Sequence, residues 1–363
     1  MTIDTLRSET WPDPQTDYEA ETLAFCRSWQ RGQTEFILHT SGSTGTPKPI
    51  TLTRAQMRAS AQLTGQALGL QAGNKALVCL NSRYVAGVMM LVRGLELGMT
   101  LTVQEPSGNP LSDFDPDQAQ FDFTAFVPLQ LQTILDTTPQ KLPILNRMKA
   151  ILVGGAATSP ALEEALQRIT APVFATYGMT ETVSHIALRR LNGPAKSDFF
   201  TALAGVQLGV DDRGCLHITA AASNFERVQT NDVVEFADST HFRIVGRADT
   251  IINSGGVKVQ PEQIEHIIAG ILGEYALNQR IMVAGLADQR LGQRLVLLVE
   301  TPAHEVSTQL QTAVSVAQDA IRQRIGRYAV PKDIGIVPTF VETATGKLDR
   351  RATVAAYLSK SAP

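Results

Sequence analysis

The chain has 363 residues, which is enough for two domains because domains of roughly 150 residues are the usual unit. Its 44% hydrophobic and 18% charged residues are typical of a soluble globular protein and argue against a disordered or fibrous chain. The formal net charge of −3 excludes the broad basic field that nucleic acids and anionic membranes attract, so we expect neither as a partner.

The cysteines, the N-terminal residues and the apolar stretches indicate in which cellular compartment the protein works. The three cysteines are widely separated and form no CxxC pair, which favours neither a disulfide framework nor a zinc site. The first residues, Met1–Asp4, lack the basic start and apolar run of a signal peptide. The most apolar stretch, 84–97, is interrupted by Arg93 and Glu96 and is shorter than a membrane span. We therefore predict a cytoplasmic protein without a membrane anchor.

The first predicted strand, Phe36–Leu38, leads into a stretch rich in hydroxyls and glycines. This stretch reads TSGSTGTPK over 40–48 and then continues into a second strand at 50–52. Glycines let backbone N–H groups converge, hydroxyls donate hydrogen bonds and Lys48 adds a positive charge, which together suit a polyphosphate. The common GxxxxGK[ST] phosphate loop does not match, because Pro47 precedes the lysine. A solvated turn is the alternative interpretation.

Strands and helices alternate through the next part of the chain. Predicted strands cover 75–80, 100–104, 123–127, 150–153 and 173–175. Predicted helices cover 54–68 after an N-cap at Thr53, then 84–97, 130–135 and 160–169. This alternation favours βαβ units and a largely parallel sheet buried on both faces. Shorter strands from about Gly205 to Val245 predict a β-rich subdomain.

The segment from Asp249 onward is predicted to be a small α+β domain. Pro261 is well placed as the first residue of a helix, whose isoleucines fall on one face. Predicted strands and a long helix follow at 281–286, 295–300 and 308–325. The polar turn 246–249 is the predicted boundary, which gives two domains, 1–248 and 249–363.

A second informative stretch, YGMTET over 177–182, follows the strand 173–175. In an α/β sheet, loops at the carboxyl ends of strands form the ligand crevice. A tyrosine ring there can stack on a purine, a threonine hydroxyl can reach a phosphate, and a glutamate can hold a hard divalent cation. An exposed strand-to-helix turn remains the alternative.

Two further places have residues suited to a nucleotide. The small residues Gly154, Gly155 and Ala156 follow the strand 150–153 and permit close approach to a flat ring, although a plain turn explains them equally well. Asp232 offers two carboxylate oxygens to paired ribose hydroxyls, and Arg247 could support the ribose and phosphate. The alternative for Asp232 is a capped β-turn.

In order along the chain, TSGSTGTPK, YGMTET and TGKLDR (345–350) resemble the signatures of the adenylate-forming enzymes. These include acyl- and aryl-CoA synthetases, luciferases and peptide-synthetase adenylation domains. The resemblance covers the chain from about Phe36 to Arg350. It implies an α/β fold with parallel-rich sheets flanked by helices, a β-rich subdomain and a small mobile C-terminal domain. It also implies ATP, Mg²⁺ and CoA as ligands.

The resemblance assigns roles to individual residues. It implies Tyr177 against adenine, Thr180 on the α-phosphate and Glu181 on Mg²⁺, with Lys347 reaching the carboxylate and the α-phosphate. The hinge is Asp249. The CoA-binding loop is Ser254, Gly255 and Gly256. ATP- and AMP-binding residues are Thr40, Ser41, Gly42, Ser43, Thr44, Gly45, Lys48, Gly154, Gly155, Ala156, Tyr177, Gly178, Asp232 and Arg247.

One motif departs from the family pattern. The family usually has TGD where this chain has Thr230-Asn231-Asp232. Asparagine tolerates a left-handed backbone better than most residues, so we expect the turn to persist. Asparagine in place of glycine at position 231 affects the expected geometry of the turn more than the expected role of Asp232.

The compact layout, with a shortened N-terminal region, resembles the short o-succinylbenzoate–CoA ligases of menaquinone synthesis. The second carboxylate of that acid would need a cation or several donors, and the candidates are Arg83, Arg93, Ser184 and His185. Alternatives are a ligase for another aryl or fatty acid, a carrier-protein thiol acceptor, or a non-catalytic nucleotide-binding homologue. A homodimer is kept as a hypothesis for the assembly.

Overall fold

The computed structural model describes residues 1–39, 49–302, 307–343 and 348–361. The α-helices in these residues are α1 (Asp17–Gln30), α2 (Arg54–Leu68), α3 (Val85–Leu97), α4 (Pro128–Thr137), α5 (Leu142–Asn146), α6 (Pro160–Ala165), α7 (Pro261–Glu274), α8 (Thr308–Arg324) and α9 (Arg350–Ser361). None of the helices in the described part of the chain has the length and apolar character that a membrane span requires.

The strands of the first two thirds of the chain are β1 (Thr2–Asp4), β2 (Glu35–His39), β3 (Pro49–Thr53), β4 (Lys75–Val78), β5 (Thr100–Val103), β6 (Phe123–Phe126), β7 (Ala150–Val153), β8 (Val173–Gly178), β9 (His185–Arg190), β10 (Phe200–Ala202), β11 (Gln207–Val210), β12 (Cys215–Thr219), β13 (Arg227–Phe236) and β14 (His241–Arg247). Those of the last third are β15 (Ile252–Ser254), β16 (Val257–Val259), β17 (Ile281–Asp288), β18 (Gly292–Glu300) and β19 (Asp333–Val337).

A single large sheet organises the N-terminal part, in the order β1-β5-β4-β6-β7-β8-β9-β10-β14-β13-β12-β11. The strands from β5 to β8 in this order pair in parallel, and the strands beyond them pair antiparallel. Leu77 and Ile151 belong to one apolar cluster, whereas their neighbours Ala76 and Leu152 belong to another. This alternation is that of a sheet buried on both faces. The predicted α/β class with parallel-rich strands and flanking helices is confirmed.

The predicted β-rich segment is joined to this sheet. Strands β11 to β14 are antiparallel, as their short turns indicate, and β10 connects them to β9 through pairing with β14. The β-rich segment is therefore a continuation of the large sheet. This places Asp232 on β13 and Arg247 on β14 opposite each other in the ladder.

A separate hairpin, β2 and β3, lies between β1 and β4 in the chain and is not part of the large sheet. Strand β2 pairs with β3, and the side chain of Thr53 accepts a hydrogen bond from the backbone N–H of Gln56 while Gln56 bonds back to Thr53, which starts α2. An apolar cluster attaches this hairpin to α2 and α3. It contains Trp29, Phe36, Leu38, Leu52, Met57, Ala61, Val88, Met89, Val92, Val183 and Ala222. We call it the hairpin cluster.

The C-terminal part has its own five-stranded sheet, in which β16, β15, β18 and β17 follow one another and β19 pairs in parallel with β18. Helices α7 and α8 cover one face through an apolar cluster, and Leu348 and α9 contribute to the cluster on the other. Pro261 is the first residue of α7, as expected. The change of sheet falls between β14 and β15. The division into 1–248 and 249–363 stays a prediction.

Candidate active site

A cavity of about 1520 Å³ opens where β6, β7 and β8 end. The carboxyl ends of parallel strands meet at one edge, so the segments that follow them form a common crevice. Residues 277–281 and Phe340 of the C-terminal part form an opposite wall. The predicted site residues that line this cavity are Arg93, Gly154, Gly155, Ala156, Gly178, Thr180, Glu181, Ser184, His185, Asp232 and Arg247.

Glycines let two loops approach each other closely beside the cavity. A Cβ on Gly154 would lie 2.4 Å from Oγ1 of Thr176, and Gly155 has a φ of +86°. A Cβ on Gly178 would lie 2.2 Å from the carbonyl oxygen of Ser184. A side chain at Gly154 or Gly178 would force these neighbouring segments to shift, so glycine is needed for their close approach.

The first polar group of the cavity surrounds Asp232, which is 9% exposed. Its Oδ2 accepts a hydrogen bond of 2.7 Å from the Tyr177 hydroxyl, and its Oδ1 accepts one of 2.9 Å from Nη1 of Arg247. Arg247 also donates from Nε and Nη2 to both carboxylate oxygens of Asp249, each at 2.9 Å. We call Tyr177, Asp232, Arg247 and Asp249 the Asp232 group. Its one cation is paired with two anions.

Burial and charge shift the protonation of this group in definite directions. Burial, and then the negative charge of Asp232, raise the pKa of Tyr177 far above its usual range. The hydrogen bonds from Arg247 hold the pKa of Asp249 below its usual value. The tyrosine therefore stays a neutral donor and the aspartate stays an anion at physiological pH. The hinge role of Asp249 stays a prediction.

The ring of Tyr177 lies in an aromatic cluster. It contacts Phe200 and Phe242 at centroid distances of 5.8 and 5.3 Å, and the residue is only 7% exposed. The structure thus fixes the hydroxyl toward Asp232 and covers much of the ring. Stacking of this ring on adenine stays a prediction.

The second polar group surrounds Arg93, which lies on α3 and is 2% exposed. Its guanidinium donates to Oγ1 of Thr64 at 3.2 Å and to Oγ of Ser184 at 2.7 Å. In the described part of the chain, no carboxylate lies within ion-pair distance of Arg93. Burial lowers its pKa to about 9, which still leaves it charged at neutral pH. We call Thr64, Arg93, Ser184 and His185 the Arg93 group.

The hydrogen bonds of Thr64 define the state of His185. The Thr64 hydroxyl donates to the carbonyl of Ser60 at 3.0 Å, so it accepts from Arg93 and from Nε2 of His185, which lies 3.1 Å away. The proton of the neutral ring is then on Nε2, and Nδ1 is an acceptor that lies 3.4 Å from both Arg93 and Ser184. Burial, and then the charge of Arg93, hold the pKa of His185 well below its usual value.

Arg83 does not join this group, contrary to the sequence-based expectation. It precedes α3, lies on the surface and donates to Glu21 at 2.7 and 2.8 Å. It does not line the cavity. The positions of the two arginines relative to α3 explain the difference: Arg93 lies on a buried face of the helix, whereas Arg83 lies in the exposed turn that precedes it.

Thr64 is a member of the Arg93 group that was not predicted from the sequence. The available signal was that Ser60 and Thr64, two polar residues four positions apart, lie on the same face of the predicted helix 54–68.

Thr180 and Glu181 lie together in a short turn at the cavity edge, with Thr180 9% exposed and Glu181 exposed. Among the described residues there is no cluster of three or more His, Cys, Asp or Glu side chains arranged for a metal. One carboxylate is nevertheless compatible with Mg²⁺, which keeps several waters and takes its other ligands from substrate phosphates. The Mg²⁺ role of Glu181 and the phosphate role of Thr180 stay predictions.

The predicted CoA-binding loop lies elsewhere. Ser254 is buried at the end of β15, and Gly255 and Gly256 turn the chain with φ values of +59° and +81°. None of them lines the cavity, whereas Glu342 and Leu348, on either side of 344–347, do. Several predicted site residues lie outside the described residues, namely Thr40, Ser41, Gly42, Ser43, Thr44, Gly45, Lys48 and Lys347.

Comparison with known families gives two matches. Residues 4–212 match the AMP-binding enzyme family, and residues 260–347 match the AMP-binding enzyme C-terminal domain. The first match alone covers more than half of the chain.

Individual relatives agree with these matches. The 2-succinylbenzoate–CoA ligase of Listeria innocua is 24% identical over 93% of this chain and 72% of its own length. A probable 2-succinylbenzoate–CoA ligase of Mycobacterium tuberculosis is 26% identical over 90% of this chain and 85% of its own.

Solved structures are similar over most of the chain. The acyl-CoA synthetase (AMP-forming)/AMP-acid ligase II-like protein of Dyadobacter fermentans is 45% identical, with 98% of this chain and 99% of that one covered and a TM-score of 0.67. The o-succinylbenzoate CoA synthetase of Bacillus subtilis, bound to its acyl-adenylate, is 21% identical, with 87% and 68% covered and a TM-score of 0.67. At this identity, the similarity to the Bacillus subtilis enzyme shows a shared fold.

Proposed function

The chain belongs to the AMP-binding enzyme family and is an AMP-forming acid–CoA ligase, and we propose that its acid substrate is o-succinylbenzoate. The observation that carries this proposal is the buried Arg93, a cation that lines the cavity without a carboxylate partner among the described residues. The proposal includes a place in menaquinone synthesis and a cytoplasmic location.

The chemistry of the acid fits this cation. A charge taken out of water is costly unless an opposite charge compensates it. o-Succinylbenzoate has two carboxylates, so one can be activated while the other pairs with Arg93 and accepts a bond from Ser184. Leu80, Val85 and Leu129 supply apolar surface for the ring in the same cavity. A monocarboxylic aryl or fatty acid would leave the arginine unpaired.

We propose two chemical steps. In the first, a carboxylate oxygen attacks the α-phosphorus of ATP; a P–O bond forms, the bond to the leaving pyrophosphate breaks, and an acyl-adenylate results. In the second, the CoA thiol loses its proton to solvent, its sulfur attacks the acyl carbon and forms a C–S bond, and AMP leaves with the electron pair of the broken C–O bond. The first step brings anions together, so positive charge and hydrogen-bond donors are needed at the phosphates.

The proposed roles at the phosphates follow the sequence signatures. Thr180 donates to the α-phosphate, and Lys347 reaches the carboxylate and the α-phosphate. Glu181 would hold Mg²⁺, which supplies charge neutralisation of the phosphate oxygens when bound. On the nucleotide side, Asp232 accepts the ribose hydroxyls, since each of its oxygens has a lone pair beyond those used by Tyr177 and Arg247.

The arrangement of the two parts supports a rotation between the steps. Glu342 and Leu348 line the cavity on either side of the segment that contains Lys347, while the hairpin of Gly255 and Gly256 lies away from it. This arrangement suits the first step, in which Lys347 acts and CoA is not yet needed. We propose that the C-terminal part then turns about Asp249 and presents the glycine hairpin to CoA.

The test is pyrophosphate release from the purified protein with ATP and Mg²⁺. We expect release with o-succinylbenzoate, much less with benzoate or a medium-chain fatty acid, and none after Lys347→Ala. Release with another acid would keep the ligase chemistry and discard the substrate. ATP binding without release for any acid would favour a non-catalytic nucleotide-binding protein. Product analysis with CoA alone distinguishes CoA from a carrier-protein thiol as acceptor.

A further inference from the structure

Val183 lies at the centre of a sharp turn between the phosphate side and the acid side of the cavity. Its φ is +64° and its ψ is −55°. The backbone N–H of Ser184 donates to the carbonyl of Thr182 at 2.7 Å, which closes a γ-turn around Val183. This form of the γ-turn is rare and strained, and a positive φ is a genuine outlier for a β-branched residue.

The surroundings hold this turn from several sides. The side chain of Val183 is fully buried in the hairpin cluster, where Phe36, Leu52 and Val88 are among its members. The hydroxyl of Thr182 lies 2.8 Å from the carbonyl of Ser184 and accepts a bond of 3.0 Å from the backbone of Met179. Strained backbone persists only where such contacts over-determine it, and it is concentrated at functional sites.

The turn attaches the acid side of the cavity to α3 at two places. Val183 packs in the cluster that contains Val88 of α3, and Ser184 accepts a bond of 2.7 Å from Arg93, five residues further along the same helix. Thr180 and Glu181 precede the turn, and Ser184 and His185 follow it. A relaxed backbone at this point would let Ser184 and His185 move relative to the guanidinium.

We propose that Val183 is a positioning residue for the acid substrate, because its strained turn fixes Ser184 and His185 against Arg93. The second carboxylate then meets two preformed donors, the Arg93 guanidinium and the Ser184 hydroxyl, and His185 keeps them in place. This inference rests on the proposed function in one respect only, namely that the acid is the ligand of the Arg93 group.

Three variants separate strain from packing. Val183→Gly removes both the strain and the side chain, and Val183→Ala removes two methyl groups but keeps the unfavourable φ. Val88→Ala deletes the same two methyl groups from the same cluster, on ordinary helical backbone. We expect Val183→Gly to raise the KM for the acid about tenfold and to change kcat and the KM for ATP less than about threefold. Val88→Ala leaves the backbone of the γ-turn unchanged, so we expect it to raise the KM for the acid less than about threefold.

A second measurement does not depend on the identity of the acid. The ¹⁵N chemical shifts of His185 report its protonation and tautomer, and they should show a neutral Nε2–H ring in the wild type. In Val183→Gly we expect a ring that titrates closer to the ordinary histidine pKa, while Val88→Ala keeps the wild-type signals. Circular dichroism shows whether each variant folds. Val183→Ala keeps the unfavourable φ but loses the packing that holds it, so we expect it to raise the KM for the acid and to shift the His185 signals in the same direction as Val183→Gly, and by more than Val88→Ala does. It carries the comparison if Val183→Gly does not fold.

Two results would overturn the inference. One is an equal KM for the acid in Val183→Gly and Val88→Ala; the other is an unchanged His185 spectrum in both. If the wild type does not use o-succinylbenzoate, the proposed substrate fails, and the His185 spectra still decide whether Val183 positions the group.

Discussion

The Arg93 group and the Asp232 group each contribute residues to the lining of the same cavity, and each is built around one arginine, but their electrostatics are opposite. Arg247 is half-exposed and paired with two carboxylates. Arg93 is almost fully buried, and the described residues provide it with hydroxyl, imidazole and thioether partners but no anion. The Asp232 group is therefore electrostatically complete in itself. The Arg93 group needs an anion from elsewhere.

This difference has a consequence for mutations. A buried charge without a counter-ion lowers stability, and a site accepts that cost when a ligand supplies the missing charge. Removing Arg93 should therefore lower activity and preserve or raise stability. Removing Asp232 should lower both, because it takes away the partner of Arg247 and Tyr177.

The largest expected effect is that of Arg93→Met. We expect kcat/KM for o-succinylbenzoate to fall about 10³-fold, which corresponds to about 4 kcal/mol, because the second carboxylate loses its buried cation. The free energy of unfolding should stay equal or rise by up to about 2 kcal/mol, since the uncompensated charge is gone. Pyrophosphate release and urea unfolding measure the two quantities.

Arg83→Met is the matched control for this prediction. Arg83 is an exposed arginine, and neither it nor its partner Glu21 lines the cavity. We expect both activity and stability to change little. A large loss of stability in Arg93→Met with unchanged use of the acid would reverse the assigned role, and Arg93 would then be a structural residue.

Asp232→Asn should weaken both nucleotide binding and the fold. Hydrogen bonds to a charged group contribute about 1.5–3 kcal/mol, so we expect the KM for ATP to rise roughly 10- to 100-fold while the KM for the acid changes little. The free energy of unfolding should fall by about 1–3 kcal/mol, because Tyr177 loses its anionic partner in a buried place. Calorimetric AMP binding and urea unfolding provide the measurements.

The control for Asp232→Asn lies on the same pair of strands. Glu235 and Arg243 form a cross-strand ion pair on β13 and β14, with about half of each side chain exposed. Glu235→Gln should cost less than about 1 kcal/mol and leave ATP binding intact. Equal effects of the two substitutions would mean that burial does not distinguish the Asp232 group from an ordinary surface pair.

Local signals in the sequence predicted most of the elements around the cavity. Strand β7 is predicted with its observed bounds because four apolar residues end at a glycine pair, and α2 is predicted because Thr53 is a typical N-cap before apolar residues at helical spacing. Pro261 marked the start of α7 for a similar reason. In each case the information lies within a few residues of the element.

The composition of the Arg93 group was only partly predictable, because it depends on contacts between distant residues. Helix α3 is apolar on nearly every face, so its sequence gives no stripe that identifies which arginine faces the cavity. The contact between Thr64 and His185 joins residues 121 positions apart. Likewise, the pairing of β10 with β14, which joins the antiparallel strands to the large sheet, has no local signal.

The buried His185 should make stability depend on pH. Its folded pKa lies well below that of the unfolded chain, which is about 6.5, so below that pH the unfolded state takes up a proton that the folded state excludes. Stability is therefore lost as pH falls, by about 1.4 kcal/mol between pH 7.5 and 5.5 from this group alone. His185→Gln should remove that part of the decrease. Urea unfolding at several pH values measures it, with the exposed His266→Gln as control.

The smallest expected effect is that of Asp249→Asn, and it sharpens the comparison within the Asp232 group itself. Arg247 bonds to both aspartates at 2.9 Å, yet 13% of the Asp232 side chain is exposed while 46% of the Asp249 side chain is exposed. The exposed pair should contribute less than about 1 kcal/mol to the free energy of unfolding, and salt near 1 M should screen it. Because Arg247 lowers the pKa of Asp249, this contribution is present above the unfolded pKa and is lost as pH falls through the folded one.

Urea unfolding of Asp249→Asn at low and high salt tests this difference between the two partners of one arginine. A cost as large as that of Asp232→Asn would mean that the three charges act as one unit, and a turn about Asp249 would then have to break a strong bond. A small, salt-sensitive cost would mean that Arg247 can keep Asp232 in place for the ribose while releasing Asp249 at little expense. A hinge beside a nucleotide site requires that combination, because the nucleotide must stay bound while the C-terminal part turns.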